Sequence, residues 1–223
     1  MSEVLARSGR RLDRMLALAV VDPVVGFTRA EGSYGRTHGH QALDLIAGSL
    51  KRIAAFSNAL DHASPQAWVR SVYSPRQFAS TGPMMNVCVE DSLDCDFDAS
   101  LQPPTHAMVA TKHDLDATGE PQFLRWIGGF HETGVEMVVV AGFLLTACGR
   151  DTAIGIAGRL ERDGVEVAVA RNLTATGLHN YENLHGRPSA VENSLLQLQQ
   201  AGVHTPPTIS ALSRCDHKPV AEF

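Results

Sequence analysis

Two continuous apolar runs stand out along the chain. Leu16-Ala17-Leu18-Ala19-Val20-Val21 ends in Asp22, and Val138-Val139-Val140-Ala141 leads into Gly142. Neither alternates with polar residues, so each reads as a strand buried on both faces, as in a parallel sheet. Shorter runs over 67–73, 106–112 and 165–170 read as further strands, and a last short one is expected near Thr208-Ile209-Ser210. Between the runs the apolar spacing turns helical. Leu43, Leu45, Ile46, Leu50, Ile53, Ala54 and Leu60 predict an amphipathic helix over 41–61. Helices are also predicted over 118–133, 148–162 and 189–201, each stopped by a glycine: Gly134, Gly164 and Gly202. Residues 28–40, rich in glycine, read as a loop. Residues 74–105 are the least regular part, a connection long enough to suggest a lid or an oligomer contact. Its acids, Glu90, Asp91, Asp94, Asp96 and Asp98, do not fit a calcium loop and read as solvated.

Strand and helix alternate throughout. That pattern predicts an α/β protein of three layers, α/β/α, with a parallel, Rossmann-like sheet. No Gly-rich nucleotide fingerprint follows any strand. The domain reading is a polar arm over 1–15, carrying Arg7, Arg10, Arg11, Asp13 and Arg14, and a single domain over 16–223. Composition narrows the class only broadly. Hydrophobic residues make up 44% and charged residues 19% of the chain, and the net charge is −5 with lysine and arginine scattered. This argues against nucleic acid as a partner. No run spans a bilayer and the start lacks a secretory apolar region, so the expected location is the cytoplasm.

The chemistry lies at the ends of the strands. In open α/β sheets, ligands bind beyond the carboxyl ends of the strands. Three predicted strands reach that edge with a reactive type: Asp22, Lys112 and, just after the fourth, Cys148. Asp22 alone reads equally well as a turn residue before Pro23. Of the cysteines at 88, 95, 148 and 215, none shows a disulfide or metal spacing, and only Cys148 has a telling context. It opens a predicted helix, where unpaired N–H groups and the helix dipole are expected to lower a thiol pKa. A carboxylate could take the thiol proton, an ammonium would orient both charges, and turn N–H groups could hold an oxyanion.

The order Asp22, Lys112, then Gly142-x5-Cys148-x3-Thr152-Ala153 resembles the isochorismatase-like cysteine hydrolases, a group that includes nicotinamidases, N-carbamoylsarcosine amidohydrolase, maleamate amidohydrolase and isochorismatase. The resemblance covers roughly Leu16 to Gly202. It implies a six-stranded parallel sheet and a Cys148–Asp22–Lys112 triad that cleaves a small amide, carbamoyl or imide compound through a thioester. It also implies a cis peptide at Phe143-Leu144, which would aim the N–H of Leu144, with that of Cys148, at the oxyanion. Relatives form dimers or tetramers, so a homodimer or homotetramer is expected.

The chain departs from the family pattern in several places. Val24 stands where the family commonly has Gln, Gly26 where an acid is common, and Leu145 where Thr is common. Asn172 replaces a frequent Asp. Ser74-Pro75-Arg76-Gln77 lacks the D-x-H pattern, so neither the nicotinamidase zinc site nor any other cofactor is expected. Phe27, Arg70, Tyr73 and Phe143 are pocket candidates by position, although the plainer reading of Arg70 and Tyr73 is structural. Two other functions stay open. One is a vinyl-ether hydrolase like isochorismatase, whose chemistry does not use the cysteine. The other is a catalytically silent relative that acts as a binding or assembly protein.

Overall fold

The two apolar runs lie side by side at the centre of a parallel sheet. Leu16 pairs with Met137, and the register continues to Val21 opposite Gly142. The computed structural model describes residues 14–78, 86–183 and 186–214. In chain order its elements are β1 (Leu16–Val21), α1 (Val25–Thr28), α2 (Ser33–His38), α3 (Asp44–Ala59), β2 (Gln66–Ser71), β3 (Met108–Lys112), α4 (Pro121–Gly128), α5 (Phe130–Thr133), β4 (Met137–Phe143), α6 (Cys148–Leu160), β5 (Glu166–Ala175) and α7 (Ala190–Gln200). The sheet order is β3-β2-β1-β4-β5, and every pair is parallel.

Alternation along the strands builds two cores. Leu18 and Val20 of β1 and Val139 of β4 face Ile46, Leu50 and Ile53 of α3. Ala17, Ala19, Val138 and Val140 face the other layer, where Phe123 and Ile127 of α4, Ile156 and Leu160 of α6, and Val191 and Leu198 of α7 pack. A strand covered on both faces has no polar side to show, which is why its sequence is apolar throughout.

The expected six strands are five among the described residues. The chain does run beside β5 where a sixth would lie. His204 N–H donates to Val167 O at 2.9 Å, and Val169 N–H donates to His204 O at 2.8 Å. Pro206 O still accepts from Arg171 N–H at 2.9 Å, but Pro206 and Pro207 have no N–H to donate in return, and the ladder goes no further. Residues 209–214 then form a 3-10 turn, not the strand expected near 208–210.

Three other readings change. Gly32 and Gly35 signal close packing rather than a loop, because α1 and α2 meet there, while Gly39, with a φ of 79° and open space around it, marks a turn. A Cβ on Gly32 would stand 2.1 Å from Val25 O. The 118–133 helix starts later, at Pro121, and breaks into α4 and α5 at Gly129. The acids of 90–98 are not all solvated. Asp94 is buried and accepts from Ser33 N, while Asp98 is fully buried against Arg29, Thr28 and Ser100. Burial alone would raise the Asp98 pKa, but hydrogen bonds from Arg29, Ser100 and Thr28 outweigh it and hold it below the ordinary value. The arm at 1–13 lies outside the described residues. Arg14, which follows it, is tied to Glu136 and Glu166.

Gly142 is where the sheet turns toward the site. Its φ is +106°, and an added Cβ would lie 2.0 Å from Val21 O. No L side chain fits both conditions. Gly142→Ala should therefore cost more than about 3 kcal/mol, or leave no folded protein, because backbone atoms must move apart. Urea unfolding of the variant checks this, and an unchanged midpoint would contradict it.

Candidate active site

Because all strands are parallel, the ends of β1, β2, β3 and β4 open on one edge of the sheet. Asp22 leaves β1 with a φ of 51° and is anchored by its N–H to Val69 O at 2.8 Å. Lys112 closes β3, Ser71 closes β2, and Cys148 is the first residue of α6. Asp22, Lys112 and Cys148 are all fully buried.

Lys112 Nζ sits 3.0 Å from Asp22 Oδ2, 2.5 Å from Ser71 Oγ, 3.0 Å from Tyr73 Oη and 3.0 Å from Asp114 O. Ser71 Oγ in turn lies 2.9 Å from Asp22 Oδ2. One carboxylate oxygen is thus doubly held. The other, Oδ1, is buried with no hydrogen-bond partner among the described residues. Tyr73 Oη reaches Cys148 Sγ at 3.4 Å. Asp22 also bears on the thiol, by its charge and as an acceptor.

The turn before α6 spends some of its N–H groups internally. Leu145 N donates to Ala175 O at 3.0 Å, and Ala147 N and Gly149 N donate to Leu144 O, each at 3.0 Å. No acceptor among the described residues takes the N–H of Leu144 or of Cys148. The Phe143–Leu144 peptide is cis.

The electrostatics correct one expectation. Cys148 does open a helix, but its thiol is not acidic at rest. Burial pushes it from the ordinary 9.0 up to about 11, with Asp22 adding to the rise and Lys112 and Tyr73 opposing it. Desolvation of a thiolate in a fully buried position outweighs a helix end and one lysine. Burial acts against the Lys112 ammonium, but Asp22, Cys148 and Tyr73 together outweigh it and hold the lysine well above its ordinary value. Burial pushes the Tyr73 phenol up as well, so it stays protonated.

A raised thiol pKa favours the protonated form in the fold. Its contribution to stability is complete below pH 9.0 and is lost as pH climbs through about 11. Urea midpoints should fall across that window, and less steeply in Cys148→Ala; parallel slopes would contradict this.

Of the other pocket candidates, Tyr73 is at the thiol. Phe143 ends β4, buried in the apolar layer, and Phe27 is buried in α1 against Tyr34. Arg70 is not brought to Asp22, Lys112 and Cys148. Its Nε lies 3.3 Å from Thr111 Oγ1, and strand alternation sends it to the face opposite Ser71. Sequence reasoning missed Ser71, whose signal was its place two residues before Tyr73 on an extended stretch. It also missed Cys88, a buried thiol near enough to feel the charges of Asp22 and Lys112. Among the described residues no three His, Cys, Asp or Glu side chains converge as metal ligands.

The family description "Isochorismatase domain" matches residues 16–204. No curated protein matches the chain in sequence. Among solved structures, PnC1 from L. infantum, in complex with nicotinate, is 21% identical with a TM-score of 0.63, over 88% of this chain and 94% of that one. The nicotinamidase/pyrazinamidase of Acinetobacter baumanii is 17% identical with a TM-score of 0.65, over 91% and 100%. Pyrococcus horikoshii pyrazinamidase, in complex with zinc, is 20% identical with a TM-score of 0.59, over 86% and 98%. At these identities the structures speak to the fold. The family match spans most of the chain, and with it the strand ends that carry Asp22, Lys112 and Cys148: this protein belongs to the isochorismatase family.

Proposed function

We propose that this protein is a cysteine-dependent hydrolase that cleaves the C–N bond of a small amide, carbamoyl or imide compound. The observation that carries the reading is the asymmetry of Asp22. Its Oδ2 is fixed by Lys112 and Ser71, its buried Oδ1 has no hydrogen-bond partner among the described residues, and its charge bears on the neutral Cys148 thiol. That is the arrangement of a base waiting for a proton.

In this mechanism Oδ1 takes the Cys148 proton and Sγ then attacks the carbonyl carbon. The thiol stays neutral until that transfer, which suits its raised pKa. The developing oxyanion accepts from the N–H groups of Leu144 and Cys148; each such donor is typically worth about 3 kcal/mol of barrier. Asp22 returns the proton to the leaving nitrogen. It then draws a proton from the water that hydrolyses the thioester. Lys112 keeps its charge throughout and offsets that of Asp22 and the thiolate. No step passes through a metal.

The test is release of ammonia or amine from a panel of small amides, carbamoyl compounds and imides. Nicotinamide and pyrazinamide belong in the panel, because structural neighbours are a nicotinamidase and pyrazinamidases. At least one compound should turn over, with an acyl adduct trapped on Cys148. Silence across the panel, or turnover that survives Cys148→Ala, would sink the proposal.

A further inference from the structure

The inference rests on the cysteine-hydrolase reading and concerns Tyr73. Its hydroxyl meets Ser71 Oγ at 2.8 Å, Lys112 Nζ at 3.0 Å and Cys148 Sγ at 3.4 Å. Each hydroxyl has one proton to give. Lys112 only donates, so Tyr73 accepts from it. Ser71 faces an ionised carboxylate, which only accepts, so Ser71 donates to Asp22 Oδ2. That leaves Tyr73 a choice between Ser71 Oγ and Cys148 Sγ. Ser71 Oγ already accepts from Lys112. A neutral thiol is a weak acceptor, but a thiolate is a charged one, and hydrogen bonds to charged groups are about twice as strong as neutral ones.

We propose that Tyr73 is a catalytic residue: its phenol O–H turns to the Cys148 sulfur as the thiol proton passes to Asp22 Oδ1, and it stabilises the thiolate until the sulfur attacks. The S–H bond breaks, an O–H bond forms on Asp22, and Tyr73 keeps its own proton. When the sulfur bonds to carbon, its negative charge moves to the carbonyl oxygen and the phenol turns back to Ser71. The groups bearing on the thiol are Asp22 after β1, Tyr73 just past β2, Lys112 of β3, and Cys88, whose carbonyl accepts the Tyr73 N–H at 2.8 Å. The ring itself is seated edge-on against Phe78, with centroids 4.7 Å apart. A phenylalanine at 73 would keep that seat and lose only the hydroxyl.

The experiment follows iodoacetamide labelling of Cys148 by mass spectrometry across pH. It compares wild type, Tyr73→Phe, Asp22→Asn and a protein with fluorotyrosine at position 73, whose phenol is a stronger donor. Labelling of Cys88 and Cys95 reports on the integrity of the fold. Tyr73→Phe should move the Cys148 midpoint up by about one pH unit, a tenfold fall in thiolate at a given pH. Fluorotyrosine should move it down, an opposite sign that a merely structural role would not produce. A wild-type profile in Tyr73→Phe, with Asp22→Asn shifted, overturns the role of Tyr73 and leaves the hydrolase reading standing. Should Tyr73→Phe expose Cys88 and Cys95, the fluorotyrosine protein decides, and an unmoved midpoint there overturns the proposal. A Cys148 unreactive at every pH in wild type removes the nucleophile, and Tyr73's role with it.

Discussion

Cys148→Ala is expected to lower amide turnover by a factor on the order of a million, the scale seen when the nucleophile of a hydrolase is removed. What remains would be the effect of the Leu144 N–H and of Asp22 on water. The fold should survive. Cys148 gives up weak thiol contacts to Tyr73 and Asp22. The missing sulfur leaves a void little larger than one atom, so the cost is about 1 kcal/mol. That loss moves the melting temperature by roughly 2–4 °C for a chain of this size. Initial rates on an active amide, beside a thermal melt, separate the two effects. A variant that keeps a tenth of the rate would mean the thiol is not the nucleophile. One that loses its melting transition would mean Cys148 is structural first.

Lys112→Met is expected to destabilise the fold strongly. Methionine matches much of the lysine stem, so the apolar packing is kept. What goes is the ammonium that meets Asp22 at 3.0 Å, with both side chains wholly out of water. A buried carboxylate left with only Ser71 is an uncompensated charge, and breaking such a pair costs about 3–5 kcal/mol. At this chain length that corresponds to a fall in melting temperature of roughly 6–20 °C. Activity should vanish with it. The double variant Lys112→Met with Asp22→Asn removes both charges, so it should regain much of the stability and none of the activity. If the double variant melts as low as the single one, the cost lay in packing and the charge argument fails.

Much of the architecture could be read directly from side-chain patterns. A strand buried on both faces must be apolar along its whole length, so β1 and β4 announced themselves, and a parallel sheet follows from strands separated by helices. The same logic located Asp22, Lys112 and Cys148, because residues that end parallel strands share an edge whatever the distance between them in sequence. Other features were hidden for identifiable reasons. Gly32 looked like part of a loop because a glycine needed for close packing and one needed for a turn are the same letter. Asp94 and Asp98 looked solvated because their partners, Ser33 and Arg29, lie over 60 residues away in the chain. The missing strand was legible in principle, since Pro206-Pro207 cannot donate to a ladder.

Sequence by itself determined the layers, the order of the reactive residues and the edge on which they meet, because strand burial and chain direction are properties of local pattern. Tertiary structure alone decided what those residues are chemically. A helix end and a lysine argued for an acidic thiol, yet full burial makes it a neutral one, since desolvation depends on every atom that surrounds a group and not on its neighbours in the chain. Likewise, only packing decided that Asp22 has one oxygen fixed and one left open, and that Ser71 and Tyr73 complete the cluster around it.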